Sequence, residues 1–257
     1  MSCRRACVAA TALAGCVSPP AGPPPAPNAT AEGIVRGIYA AAGGESWRRP
    51  TTLVMRGHGD FATSDVPHER HVMWRVYESA KTDGRAADGK VRILSVRAGE
   101  PVIDVAFDGI TTSTRDGPQP KSEADRRWAS NFGFGVIRHA LDEGYRVEIV
   151  QTDTEEGRPT DTLRVTDPAG RETLFWVERD THRILKIGFD TERGWHERRY
   201  SDFFSKTGTD WVQPGRVRLY YDGVLANTIT WTDFETGVDI PDCVFVLPEA
   251  EGCPAGI

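Results

Sequence analysis

Apolar and polar residues alternate with a period of two along most of the chain, and only two stretches break into a helical period. The first is 31–42, where Ile34, Val35, Ile38, Tyr39 and Ala42 fall on one face at three- and four-residue spacing. Thr30 suits the N-cap of this helix, Glu32 its first turn, and Gly43-Gly44 its end. From Thr51 the spacing predicts strands over 51–62, 67–77, 90–97, 102–107, 145–151, 161–166, 171–178, 183–190, 195–204, 215–222, 224–234 and 243–247. Turn signals separate most of them: Asp88-Gly89, Asp108-Gly109, Asp167-Pro168-Ala169-Gly170 and Asp222-Gly223. The second break is 122–143. Ser122 can cap a short helix carrying Trp128, and Phe134, Ile137, Ala140 and Leu141 share one side before Gly144 ends the segment. Strands this closely spaced leave no room for parallel crossovers. The expected fold is therefore mainly antiparallel β (α+β): one large curved sheet with an N-terminal helix and an inserted helical segment. Because the β pattern resumes unchanged after 122, residues 31–257 read as a single domain.

Composition narrows the classes. Seven Trp, ten Phe and six Tyr among 257 residues supply ample surface to bury, which excludes bulk disorder. A net charge of −6 argues against a nucleic-acid partner. No window is apolar enough for a spanning helix.

The first residues, MSCRRACVAATALAGC, place Arg4 and Arg5 before a mildly apolar stretch from Ala6 to Gly15, the layout of a secretory signal. Leu13-Ala14-Gly15-Cys16 resembles the lipobox of bacterial lipoproteins, which implies removal of residues 1–15 and attachment of lipid to Cys16. Loss of Arg4 and Arg5 would take the net charge to −8. Six prolines follow in VSPPAGPPPAPNAT, so residues 16–30 read as a lipidated cysteine and a stiff tether, an extended polyproline-type spacer of roughly 40 Å. The anchor makes the membrane a partner. With Cys3 and Cys7 gone and Cys16 lipidated, Cys243 and Cys253 remain as an even pair in an oxidising compartment, and a disulfide between them is expected.

A lipidated start, an amphipathic helix, antiparallel strands and a helical insertion together resemble the outer-membrane lipoprotein-sorting (Lol-type) carriers. ETLFWVERDTHRILKI over 172–187 and PGRVRLYYDG over 214–223 are the strand patterns that prompt the likeness. It implies a half-open barrel whose concave face, lidded by helices, takes up an acyl chain of a lipid or lipoprotein. It implies an outer-membrane location facing the periplasm, since Val17 is not the aspartate that retains many lipoproteins at the inner membrane. No functional position carries over from the family.

Catalytic motifs are missing. There is no G-x-S-x-G, no phosphate loop, no H-E-x-x-H and no EF-hand spacing, and Gly133-Phe-Gly135 lacks the setting of a dinucleotide site. No cofactor is expected, and the chain reads as a non-enzyme. Pairing 51–62 with 67–77 through a loop at 63–66 places Met55 opposite Trp74, Leu53 opposite Val76 and Gly57 opposite Val72, an apolar side. The other side sets His58 against His71 and Asp60 against Glu69, a weak metal candidate read chiefly as a solvated face. Gly57 and Gly59 point inward between Met55 and Phe61, either at a bulge or where a ligand approaches. The expected ligand-lining set is Met55, Gly57, Gly59, Phe61, Val72, Trp74, Trp176, Leu219, Tyr221 and Trp231. Two other functions stay open: an interaction or envelope-assembly accessory without a pocket, and a periplasmic enzyme of unrecognised type.

Overall fold

The computed structural model describes residues 29–77, 88–120, 134–249 and 252–253. The signal, Cys16, most of the tether and the 122–133 half of the helical interruption lie outside the described residues.

Helix α1 (Ala31–Ala42) forms where the pattern places it. Thr30 Oγ1 accepts from the Gly33 amide at 3.1 Å, Glu32 lies in the first turn, and Ile34, Val35, Ile38 and Tyr39 are buried. A short α2 (Gly44–Arg48) follows at once and buries Trp47. The strands are β1 (Thr52–Phe61), β2 (His68–Tyr77), β3 (Asp88–Arg97), β4 (Glu100–Phe107), β5 (Thr112–Thr114), β6 (Gly117–Pro118), β7 (Arg146–Glu155), β8 (Arg158–Thr166), β9 (Glu172–Glu178), β10 (Ile184–Thr191), β11 (Gly194–Ser201), β12 (Phe204–Ser205), β13 (Val212–Gln213), β14 (Arg216–Tyr221) and β15 (Val224–Thr236). Between β6 and β7 lies α3 (Gly135–Arg138).

Among the described residues, thirteen strands make one antiparallel sheet in the order β6-β5-β4-β3-β2-β1-β15-β14-β11-β10-β9-β8-β7, while β12 and β13 form a separate ribbon. Every neighbour is close in sequence except at one seam, where β1 pairs with β15, Leu53 facing Thr236. Tight turns close the hairpins. Asp222 and Gly223 take φ of 48° and 79°, the left-handed pair that a two-residue turn of the primed type requires. Asp88-Gly89, by contrast, lies inside β3 and makes no turn.

Two apolar clusters flank the sheet. The larger holds α1, Trp47 and α3 against Leu53, Met55, Met73, Ile93, Phe175 and Trp231 on the concave side. The smaller lies on the convex side, where Ile240, Val244 and Phe245 cover Val54, Val72, Trp74 and Leu94. The expected strand at 243–247 is instead a 3-10 turn, Asp242–Phe245, entered from Pro241. Its apolar run packs broadside on the sheet and does not extend it. Cys243 and Cys253 are disulfide-bonded with Cα atoms 5.9 Å apart, which closes this segment on itself. Arg92 ties it down, holding Asp104 through two bonds of 2.9 and 3.0 Å and donating to the Val244 carbonyl and the Glu249 carboxylate.

Candidate functional site

The concave face and the helices above it enclose a cavity of about 200 Å³. It straddles the seam. Leu53, Met55 and Phe61 of β1 line it beside His71 and Met73 of β2, and Ile93 and Ile103 extend it outward. Across the seam come Ile229, Trp231 and Asn227 of β15, Val217 and Leu219 of β14, and Arg198 and Tyr200 of β11. Trp47, Phe134, Arg138, Gln213 and Pro214 form the cover.

Aromatic stacking builds that cover. Trp47 and Phe134 rings lie 6.0 Å apart, and Phe134 meets Tyr200 at 4.6 Å. The Tyr39 hydroxyl donates towards the carbonyls of Ile137 and Arg138 at 3.0 and 3.1 Å, pinning α3 to α1, and burial pushes this phenol up to about 12. Arg138 donates to the Trp47 carbonyl and lies 4.2 Å above the Trp47 ring. Burial lowers this guanidinium below the usual arginine value.

Of the ligand-lining set expected from sequence, Met55, Phe61, Leu219 and Trp231 line the cavity. Val72 and Trp74 do not. Met73 is the partner of Met55 and Trp74 the partner of Val54, one residue from the expected register. A one-residue slip reverses every side chain, so Val72 and Trp74 join the convex cluster while His71, Met73 and Arg75 turn inward. Trp176 is likewise on the convex side, beneath Lys186 at 4.1 Å, and its neighbour Phe175 faces the core. Tyr221 packs edge-on against His196 at 5.1 Å, and Arg193 covers it, away from the cavity.

Gly57 is a close approach between strands. A Cβ there would meet the Thr230 carbonyl oxygen at 2.0 Å, at the point where both ladders of β1 shift register. Gly59 abuts the Ile229 and Phe61 side chains. Neither glycine leaves a gap for a ligand.

The four-residue metal candidate is taken apart by the same geometry. The bulge opposite Gly57–Gly59 brings His68 and His71 to one side, against Phe61 at 4.1 and 6.1 Å, and leaves His58 and Asp60 exposed. Glu69 turns out to cap the next hairpin, accepting from the Gly99 and Ala98 amides at 2.7 and 3.0 Å, and these bonds hold its carboxyl below the usual range. His68 bonds Ser95 Oγ at 2.7 Å. His71, beside Trp231 at 5.2 Å, is pushed down to about 4 by burial and is neutral at pH 7.

Sequence reasoning missed the buried cations here, Arg138 and Arg198 on the cavity wall and Arg75 on the same face of β2 as Met73. Arg75, Arg138 and Arg198 are buried, at 0%, 3% and 7% exposure. Charged strand residues read as solvent-facing by default. The available signal was phase: Arg75 lies two residues beyond Met73, and Arg198 lies opposite Leu219 and Ile187 on the neighbouring strands.

No protein-family profile matches this sequence, and no curated protein matches it. Solved structures do. A LolA-superfamily protein from Nitrosomonas europaea superposes with a TM-score of 0.50 at 14% identity, over 85% of this chain and 98% of that one. A DUF1329-family protein from Desulfovibrio piger superposes with a TM-score of 0.51 at 9% identity, over 84% and 97%. At these identities the likeness is one of fold: the chain has a LolA-like fold.

Proposed function

We propose that this is a lipid-anchored envelope protein that binds a hydrophobic ligand, the acyl chain of a lipid or lipoprotein, without chemistry. The cavity carries this reading: about 200 Å³ of interior, mostly apolar, left beneath helices that cover the concave face. Each methylene moved from water into such a site contributes about 0.8 kcal/mol. The lining runs along β1 from Leu53 to Phe61, nine residues whose eight rises make roughly 26 Å of extended strand, a length that suits a long chain. The fold is consistent with this use. Lipidation at Cys16 would hold the domain at the outer membrane, facing the periplasm.

The test is displacement of a fluorescent fatty-acid analogue from the full chain carrying Cys16→Ser, so that no attached acyl chain competes. Leu219→Trp, which adds bulk at a partly exposed lining position, should weaken binding at least about tenfold while melting temperature and circular dichroism stay unchanged. A wild-type chain that takes up no acylated probe would remove this reading.

One observation favours an interaction module instead. Val66 and Val224 are 53% and 71% exposed, at loop tips joined by the Ala62 amide donating to the Ala226 carbonyl at 2.9 Å. A partner bound there, with no acyl ligand, would favour that reading.

A further inference from the structure

We infer that the ligand carries an uncharged oxygen at the head of its hydrocarbon chain, an ester carbonyl or a hydroxyl, and that His71 holds this oxygen by a hydrogen bond within the cavity. The inference rests on the acyl-binding reading above and deepens it by naming the head.

His71 lines the cavity, is 6% exposed, and its Nδ1 is buried without a hydrogen-bond partner. A neighbour on the same strand supplies the contrast. His68 is 4% exposed and stacks on the same Phe61 ring, yet its Nδ1 is met by Ser95 Oγ at 2.7 Å. One buried imidazole is satisfied within the fold, and the one on the cavity wall is left open. An unpaired buried nitrogen is costly, and such atoms are few in folded proteins. Because the His71 ring is neutral at pH 7, it offers a hydrogen bond and no charge. A protonated Nδ1 donates to a carbonyl or a hydroxyl, and an unprotonated one accepts from a hydroxyl.

The cations of the interior stand apart from this atom. Arg138 donates to the Trp47 carbonyl and lies over the rings of Trp47, Tyr77 and Trp211. Tyr77 is six residues beyond His71 on β2, roughly 20 Å along an extended strand. Arg198 is on β11, with β1, β15 and β14 between it and β2, and both it and Arg75 are engaged elsewhere in the chain. What borders His71 is apolar: Phe61, Trp231 at 5.2 Å, and Met73 next on its own face. The position along the chamber suits a head. Phe61, Asn227 and Leu219, side by side at one end of the seam, are partly exposed, whereas Leu53 and Met55 farther along β1 are buried. His71, opposite Gly57, lies between the two. A chain entering tail first at the Phe61 end lays its methylenes along Met55, Met73 and Leu53 and brings its first polar atom to the open nitrogen. An uncharged oxygen satisfies that nitrogen without carrying a net charge into an apolar chamber, which a free carboxylate would do.

The test displaces a fluorescent fatty-acid analogue from the full chain carrying Cys16→Ser, using dodecanol, methyl laurate, dodecane and laurate. Each probe is compared with and without His71→Phe, which keeps a ring and removes both nitrogens, so that the ratio cancels the probe's own solubility in water. Dodecanol, methyl laurate or both should bind about tenfold more weakly to the variant, the loss of one hydrogen bond to a buried group, while dodecane changes by less than about twofold. The probe that falls identifies the head, and a fall for methyl laurate shows that Nδ1 carries the proton. His71→Asn, which puts an amide close to the position of Nδ1, should restore part of the loss. If every probe binds and none is weakened, the inference is overturned and the acyl-binding reading stands. Equal loss for all four, with His71→Asn no better, would overturn it as well, since fit and not a hydrogen bond was then removed. A fall for laurate alone would replace the uncharged oxygen with an anionic head. Binding of none of the four probes would remove both readings.

Discussion

Breaking the Cys243–Cys253 bond should loosen the cover of the convex face before it touches the cavity. The bond closes a loop with a sequence separation of 10. Chain-entropy closure of that loop is worth about 2.7 kcal/mol at 25 °C. What it holds is apolar: Phe245 is 0% exposed and Val244 3%, and beneath them Val54 and Trp74 are 0% and 2% exposed. For a β domain of this size each kcal/mol moves the melting temperature by about 2–4 °C, so Cys243→Ser with Cys253→Ser should lower it by about 5–11 °C. Amide exchange locates the effect. The Leu247 amide donates to Ser113 Oγ at 3.1 Å and the Val244 amide to the Pro241 carbonyl at 3.0 Å, so both should exchange faster in the variant. Amides of β10 and β11, on the far half of the sheet, should keep their protection. Equal melting temperatures for the oxidised and the double-serine chains, with Leu247 still protected, would refute the claim that this closure holds the segment down.

Gly57→Ala should cost about 1–3 kcal/mol or more in urea unfolding, because its Cβ would strike the Thr230 carbonyl, whereas Gly59→Ala, facing movable side chains, should cost less. Asp104→Ala leaves the buried Arg92 without its two-bond partner and should cost about 3–5 kcal/mol by the same measurement. His71 is depressed to about 4 in the fold, so below about pH 6.5 the unfolded chain takes up a proton that the folded chain refuses. Stability is therefore unaffected by His71 above that pH and falls between about pH 6.5 and 4, by at most about 1.4 kcal/mol per unit. His71→Asn should show a shallower fall over that window, and an identical slope would count against it. Cys16→Ala should abolish detergent-phase partitioning if the lipobox reading holds.

Helix α1 was legible because four independent signals agree on it: a capping Thr30, an early Glu32, a single apolar face and a terminal glycine pair. The Asp222-Gly223 turn was legible because few residue pairs tolerate its backbone. Facing was harder to read. Val72-Met73-Trp74 and Phe175-Trp176-Val177 are apolar at every position, since the sheet is covered on both sides, and a period of two carries no phase when both phases are apolar. The same double coverage disguised 243–247, whose apolar run packs on a sheet without joining it. Of the candidate site, the β1, β14 and β15 contributions could be read from alternation. The arginines were hidden by their charge, which reads as solvent-facing: Arg75 shares the phase of Met73 and Arg198 lies opposite Leu219, but Arg138 sits on α3, where no strand alternation points to it.

The seam between β1 and β15 gives the cavity an unusual dependence on the whole chain. All other neighbours in the sheet are hairpin partners or nearly so, and they can zip as the chain emerges. Leu53 must wait for Thr236. Until then the amino-terminal meander has Met55 and Met73 but no Trp231, and the carboxyl-terminal meander has Val217 and Ile229 but no Leu53. Neither half owns a chamber. A cavity split this way is also a mark of completeness: a chain cut short before its last long strand lacks half of the walls, and only the finished molecule has an enclosed apolar interior.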